Sequence, residues 1–256
     1  MARIHPSALV AEGAQLGEDV EVGPFCTVGP HVEIGAGTRL ISHVVVDGWT
    51  RIGAGCTLYP FCTVGLKTQD LKYKGGAPRA EVGDRTVIRE SATIHAATFD
   101  GDVTRVGSDC LIMAYAHVAH DCVVGNRVIM ANVATLAGHV IVEDQAIIGG
   151  LAAVHQFVRI GRLAILGGCT KVVKDIPPFM TADGNPAEVR MINKLGLERA
   201  GFTEATQAAV KQAFRILYRE NLITSKACER IEQELGTVPE VQTLLAFVRA
   251  SQRGIA

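Results

Sequence analysis

The sequence is poor in aromatic residues: 8 Phe, 4 Tyr and a single Trp in 256 residues. Rings dominate most globular cores, so the apolar residues, 48% of this chain, must be arranged in another way. The chain also lacks an excess of either charge, with 25 Lys and Arg against 26 Asp and Glu. That balance argues against nucleic acid as a partner and against a polybasic membrane-surface protein. No apolar run reaches the roughly 18 residues of a membrane span. The N-terminal residues Met1–Pro6 contain no apolar signal core, which implies a cytoplasmic protein. Among the 7 cysteines there is no C-x-x-C pair, so neither a thiolate zinc site nor a disulfide framework is indicated.

What is present is a period of six. Stepping from Ile4 to Val172 in sixes, 26 of 29 positions hold Val, Ile, Leu or Met, although these types make up only 71 of 256 residues. Four residues after each of the 26 stands Ala, Val, Cys, Thr or Ile, never a charge. Such a period fits neither an amphipathic helix nor simple strand alternation. It fits a coil of short strands and sharp turns, with one large and one small residue of each hexad pointing inward. Gly follows the aliphatic residue in 12 hexads, as at Val22-Gly23 and Val124-Gly125, where the turns begin. Pro6, Pro24, Pro30 and Pro60 all lie two residues after the aliphatic slot, so the backbone there tolerates a missing N–H donor. The implied architecture is a parallel β-solenoid whose coils stabilise one another by stacking. Cys26, Cys56, Cys62, Cys110 and Cys122 occupy the small inward slot and read as buried filler.

The repeat is interrupted over residues 70–81 and again near 99–105, and resumes in phase each time. Both interruptions read as loops extruded from an unbroken coil, a favoured place for function. The pattern ends at Pro177-Pro178. The expected organisation is therefore a solenoid over residues 1–176, with inserted loops near 66–81 and 99–105, and a helical domain over 177–256. Thr203 is the expected N-cap of one helix, and further helices are expected over 225–235 and 240–252.

Of the eight histidines, His5, His31, His43 and His95 stand at turn or outer positions without polar company and read as packing or surface residues. His117, His120, His139 and His155 cluster. With eighteen residues per coil, His120, Gly138 and Gln156 fall in one column, at a strand spacing of about 4.8 Å per coil. A histidine, a glycine amide and an amide side chain in one strip offer a base for an incoming hydroxyl and a donor for a developing oxyanion. Asp121 is placed to orient the imidazole. Histidines that simply hydrogen-bond along the stack, and a metal site, are the competing readings of the residues alone.

The order of segments then becomes specific. It runs from the hexads through Gln69-Asp70-Leu71-Lys72-Tyr73, His117-Val118-Ala119-His120-Asp121-Cys122, Leu136-Ala137-Gly138-His139-Val140 and Val154-His155-Gln156-Phe157. Gly167-Gly168-Cys169, Asp175-Ile176-Pro177-Pro178 and a helical tail complete it. This chain resembles the acyl-carrier-protein–UDP-N-acetylglucosamine O-acyltransferases of lipid A biosynthesis over nearly its whole length. The resemblance implies a mainly β fold, a left-handed parallel β-helix of three hexads per turn with a C-terminal α-helical domain. It implies a homotrimer with sites between subunits. It implies an acyl-carrier-protein donor, with the acyl group carried on its phosphopantetheine and no other cofactor or metal, and UDP-N-acetylglucosamine as acceptor.

By the same resemblance, His120 is the general base, Asp121 supports it and the Gly138 amide forms the oxyanion hole. His117, His139, His155, Gln156, Gln69, Asp70 and Lys72 hold the sugar nucleotide or shape its pocket, with Lys72 serving an adjacent chain. Gly168 matches the position that measures the acyl chain, and glycine there implies a longer chain. Asn193 and Arg199 match nucleotide-contacting positions, whereas Leu195 and Ala200 stand where the family commonly has an acidic residue and a second arginine. Arg159, Arg162, Lys171 and Lys174 form a candidate basic rim for the acidic carrier. Related readings remain open at the level of sequence: a 3-amino-sugar acceptor, an acetyl-coenzyme-A donor, or a carbonic-anhydrase-like metal solenoid. The sister N-acyltransferase of the same pathway carries an extra N-terminal domain, whereas the hexads here begin at residue 4.

Overall fold

The computed structural model describes residues 1–256. Each hexad forms a short strand and a turn, and the coil closes after three strands. The result is a parallel β-helix of three faces with 11, 9 and 8 strands. Val22, Leu40 and Leu58 stack on the first face, Val118, Leu136 and Val154 on the second, and Val124, Val142 and Ile160 on the third. From Val22 onward the aliphatic slots are at most 3% exposed, and each contributes about 1.5–3 kcal/mol of burial. The interior is narrow, which is why it is filled by aliphatic residues and small ones rather than by rings. All five solenoid cysteines in the small slot are buried, and burial pushes the Cys62 and Cys122 thiols up to about 12. The N-terminal coil has no neighbour below it, so the inward slot Ile4 is exposed.

The two insertions leave the same corner, between the second and third faces. The first links strands Thr63–Leu66 and Arg79–Val82, and the second links Thr93–His95 and Val103–Val106. Register records their lengths: Arg39 pairs with Thr57, but Thr57 pairs with Val87 and Val87 with Leu111. Both loops end earlier than the sequence implies, since Arg79–Val82 and Val103–Val106 are already strands. Val103 and Arg105 pair with Arg79 and Glu81, so the third face has already resumed there.

The region after Pro178 also differs from expectation, because it does not turn helical at once. Met180–Asp183 continues the first face beside Ile165–Leu166, and Glu188–Ile192 folds back antiparallel on it. Met180 and Ala182 are fully buried on the end of the solenoid core, which makes another strand the better use of these residues. Four helices follow: α1 (Lys194–Arg199), α2 (Glu204–Arg219), α3 (Thr224–Leu235) and α4 (Pro239–Ala250). Thr203 caps α2 by accepting the Thr206 N–H, as its position predicts. Ala213, Ile216, Ile231, Leu244 and Leu245 join the same apolar cluster as the solenoid interior, so the helices close that end of the coil.

The three corners differ in chemistry. Between the first and second faces run the exposed apolar side chains of Phe25, Phe61, Tyr115, Val133 and Leu151. Between the third and first faces runs a polar ladder. There Asn126 accepts the Ser108 N–H at 2.9 Å, and Asp144 accepts the Asn126 N–H at 2.7 Å. The remaining corner carries the histidines and both loops.

Candidate active site

The histidine corner is built by repetition. Val118, Leu136 and Val154 fix three strand ends in register, so the residues two positions on, His120, Gly138 and Gln156, stack in one column. The next residues, Asp121, His139 and Phe157, all adopt left-handed backbone with φ of 59°, 60° and 64°. The turns are tied along the stack, since the His139 N–H donates to the His120 carbonyl and the Phe157 N–H to the Gly138 carbonyl. This positive φ turns the Asp121 carboxylate back beside its neighbour's ring. Asp121 Oδ2 lies 2.8 Å from His120 Nδ1.

Further groups converge on the same nitrogen. Thr98 Oγ1 is 3.0 Å and Asp70 Oδ2 4.0 Å from His120 Nδ1, and the Thr98 hydroxyl donates to Asp70 at 3.4 Å. The Thr98 N–H donates to Asp121 Oδ1, and the Asp121 N–H donates to Thr104 Oγ1. The first loop thus brings Asp70, and the second brings Thr98, to one side of the imidazole. Asp70 is held below the usual carboxylate range by the Lys72 N–H that it accepts, and further by His120, the Lys72 charge and the Thr98 hydroxyl.

The other side of the ring faces Gly138. A Cβ at this position would stand 2.5 Å from His120 Nε2, so only glycine allows the column to close. Its N–H makes no hydrogen bond within the chain. At the polar corner the equivalent N–H groups are taken by Asn126 and Asp144 from the next coil. The position that accepts proline elsewhere in the repeat is therefore, at Gly138, an open donor beside a histidine.

His139 stacks on Phe157, 4.6 Å between centroids and 7° between planes, and stands edge-on to His120 at 5.2 Å. Its Nε2 is 3.7 Å from Asp121 Oδ2. His117 bonds Thr93 Oγ1 through Nδ1 at 2.7 Å. Burial, then His95 and His120, lower its pKa to about 4, so it is neutral near pH 7. His120, Asp121 and His139 also present ligand atoms within 4.8 Å of one another, the one grouping in the chain with metal-ligand spacing.

Comparison with known proteins bears on this arrangement. Residues 175–256 match the model described as Udp N-acetylglucosamine O-acyltransferase, Domain 2, and residues 104–138 match Bacterial transferase hexapeptide (six repeats). The acyl-[acyl-carrier-protein]–UDP-N-acetylglucosamine O-acyltransferase of Thermodesulfovibrio yellowstonii is 48% identical over 100% of this chain and 99% of its own length. The chain belongs to the UDP-N-acetylglucosamine O-acyltransferase family. Among solved structures, the UDP-N-acetylglucosamine acyltransferase of Bacteroides fragilis superposes with TM-score 0.96 at 37% identity, covering 99% of each chain. The O-acyltransferase of Moraxella catarrhalis does so with TM-score 0.95 at 38% identity, covering 98% of each.

The other residues singled out from the sequence divide by position. Gln69 and Lys72 are exposed on the first loop above His120. His155 and Gln156 are exposed one coil beyond Gly138, with His155 Nδ1 3.1 Å from the Gln156 carbonyl. Gly168 lies at the apolar corner, where a Cβ would meet the Gly150 carbonyl at 3.4 Å, an ordinary contact. Asn193 departs from its expected use. It is buried, donates to the Leu163 carbonyl and caps α1 by accepting the Gly196 N–H, so its amide serves the fold. Arg199 is exposed on α1, which packs through Leu197 on Leu163 and Phe179 at the polar corner. The basic rim is also divided. Arg159 is paired with Glu143, and Arg162 turns to Gln145, leaving Lys171 and Lys174 exposed.

Sequence reasoning missed several site residues. Thr98 and Thr104 occupy the small inward slot and look like filler by phase, yet both hydroxyls bond the His120–Asp121 turn. Their position beside an insertion was the available signal. His95, expected at a turn or outer position as a packing or surface residue, is a packing residue: it is buried with its ring edge-on to His117 at 4.9 Å.

Proposed function

We propose that this protein transfers a 3-hydroxyacyl group from acyl carrier protein to the 3-hydroxyl of UDP-N-acetylglucosamine, the first step of lipid A biosynthesis, in the cytoplasm. The supporting observation is that His120 stands between a carboxylate and an open backbone N–H. With Nδ1–H donating to Asp121, the lone pair is on Nε2, on the side of Gly138. Nε2 takes the proton of the sugar hydroxyl as its oxygen attacks the thioester carbonyl carbon. The oxyanion receives the Gly138 N–H. Collapse breaks the carbon–sulfur bond, and the imidazolium returns its proton to the departing pantetheine thiolate. Asp121 stabilises the imidazolium meanwhile. Asp70, Gln69, Lys72, His117, His139, His155 and Gln156 surround the sugar nucleotide in this reading. Gly168 leaves room for a longer acyl chain. The acyl group arrives on the carrier's phosphopantetheine, so no further cofactor enters.

The same reading makes the active unit a homotrimer. Gly168 lies at one corner, His120 at a second and Arg199 at a third, so one chain alone cannot bring them to one substrate. A second copy, with its apolar corner of Phe25, Phe61 and Tyr115 against the histidine corner, joins the first two. Sedimentation tests the assembly, and formation of UDP-3-O-(3-hydroxyacyl)-N-acetylglucosamine from the two substrates tests the reaction. A monomeric active enzyme or an absent product contradicts the respective part.

A further inference from the structure

The last six residues return from the helices to the histidine corner. The Asp175 N–H donates to the Gly254 carbonyl at 3.0 Å, and the Ala256 N–H donates to the Asp175 carbonyl at 3.0 Å. The Asp175 side chain is 1% exposed as a residue, and both its oxygens are used. Oδ1 accepts the Arg159 N–H at 2.8 Å, and Oδ2 accepts the Ser251 hydroxyl at 2.7 Å. A buried carboxylate thus fastens the C-terminal segment to the solenoid.

What this segment presents is Arg253. Its Nε donates to the Val173 carbonyl at 3.3 Å, and one terminal nitrogen lies 3.4 Å from His155 Nδ1. It borders a cavity of about 570 Å³ together with His139, Phe157, Arg159 and Asp175. The two guanidinium groups of this cavity differ. Arg159 is neutralised by Glu143 at 3.2 Å and lies over the Phe247 ring. Arg253 has no carboxylate within 4.0 Å. The Asp175 carboxylate is turned away to Ser251 and the Arg159 backbone. A half-buried guanidinium that is held in place but lacks an anion is suited to a phosphate oxygen.

We propose that Arg253 binds a substrate phosphate, with His155 as its companion donor. The His155 ring has two options, because Nδ1 either donates to the Gln156 carbonyl or accepts from Arg253. In the second arrangement Nε2 carries the hydrogen, and Arg253 and His155 together offer donors to one phosphate. The pair stands two coils beyond His120, roughly 10 Å by strand spacing. Both the diphosphate of the nucleotide sugar and the phosphodiester of the pantetheine arm carry the required chemistry. The inference rests on the acyltransferase reading above.

The test is steady-state kinetics of the full-length protein with Arg253→Ala and Arg253→Lys, varying each substrate while the other saturates. Wild-type turnover is measured first and stands or falls separately, so absence of any product would refute the acyltransferase reading rather than the role of Arg253. With an active wild type, Arg253→Ala is expected to raise one KM about tenfold or more while kcat stays within about threefold. Arg253→Lys is expected to recover part of the loss. A rise in KM for the sugar nucleotide identifies the diphosphate, and a rise for the acyl carrier identifies the phosphodiester. Both KM values within twofold of wild type, at unchanged Tm, would overturn the proposal. So would a loss confined to kcat or tracking a lowered Tm.

Discussion

Gly138 lies so close beneath the imidazole of His120 that a Cβ there would stand 2.5 Å from Nε2. The two residues are one coil apart, and the same register that stacks the strands sets this approach. Gly138→Ala is expected to push the ring off the donor and to lower kcat by about 10²–10³, the scale of losing one oxyanion donor. Overpacking adds a cost of about 1–3 kcal/mol in stability. Turnover and urea unfolding check both parts, and full activity in the variant would remove the glycine from the mechanism.

In the proposed mechanism Asp121 accepts from Nδ1 of His120 and so leaves the lone pair on Nε2. Asp121→Asn leaves the turn intact, because the backbone N–H bond to Thr104 persists, but offers an amide in place of the carboxylate. A fall in kcat of about 10²–10⁴ with little change in KM is expected from the precedent of other His–Asp pairs. Thr98→Val, which removes the hydroxyl between His120 and Asp70, is expected to produce a smaller loss of the same kind. Rates at saturating substrates decide this.

Much of the fold was legible in the sequence because the six-residue period is physically strict. Each slot must be filled, so the inward residues announce themselves, and the His120, Gly138 and Gln156 column follows from counting. The strands at 180–192 were not legible, because they follow two prolines and break the phase while still burying Met180 and Ala182. Thr98 was hidden for the opposite reason: it obeys the phase. Arg253 was invisible because nothing local reveals that a residue 98 positions on from His155 returns to it.

His117 gives the fold a dependence on pH. Its folded pKa is about 4 and its ordinary value 6.5. Between these values the unfolded chain binds a proton that the native protein does not, so stability rises with pH across this window. It is expected to fall by on the order of 2–3 kcal/mol as pH drops from 6.5 to 4. Urea unfolding at a series of pH values, with His117→Gln as the flattened control, checks the sign.

Gly168 has only the Gly150 carbonyl near its missing Cβ, at 3.4 Å. A Cβ is therefore accommodated there, and Gly168→Met extends a side chain from the apolar corner. It is expected to shift preference toward shorter acyl donors in a competition between chain lengths, with Tm nearly unchanged. An unaltered preference would separate this corner from the acyl chain.

In the proposed reaction His120 removes the proton from an attacking sugar hydroxyl. The direct measurement combines purified protein, UDP-N-acetylglucosamine and a series of 3-hydroxyacyl carrier proteins, comparing wild type with His120→Ala. Wild-type transfer to the 3-hydroxyl, reduced by about 10²–10⁴ in the variant with an unchanged Tm, is the expected result. Full activity in His120→Ala would contradict it.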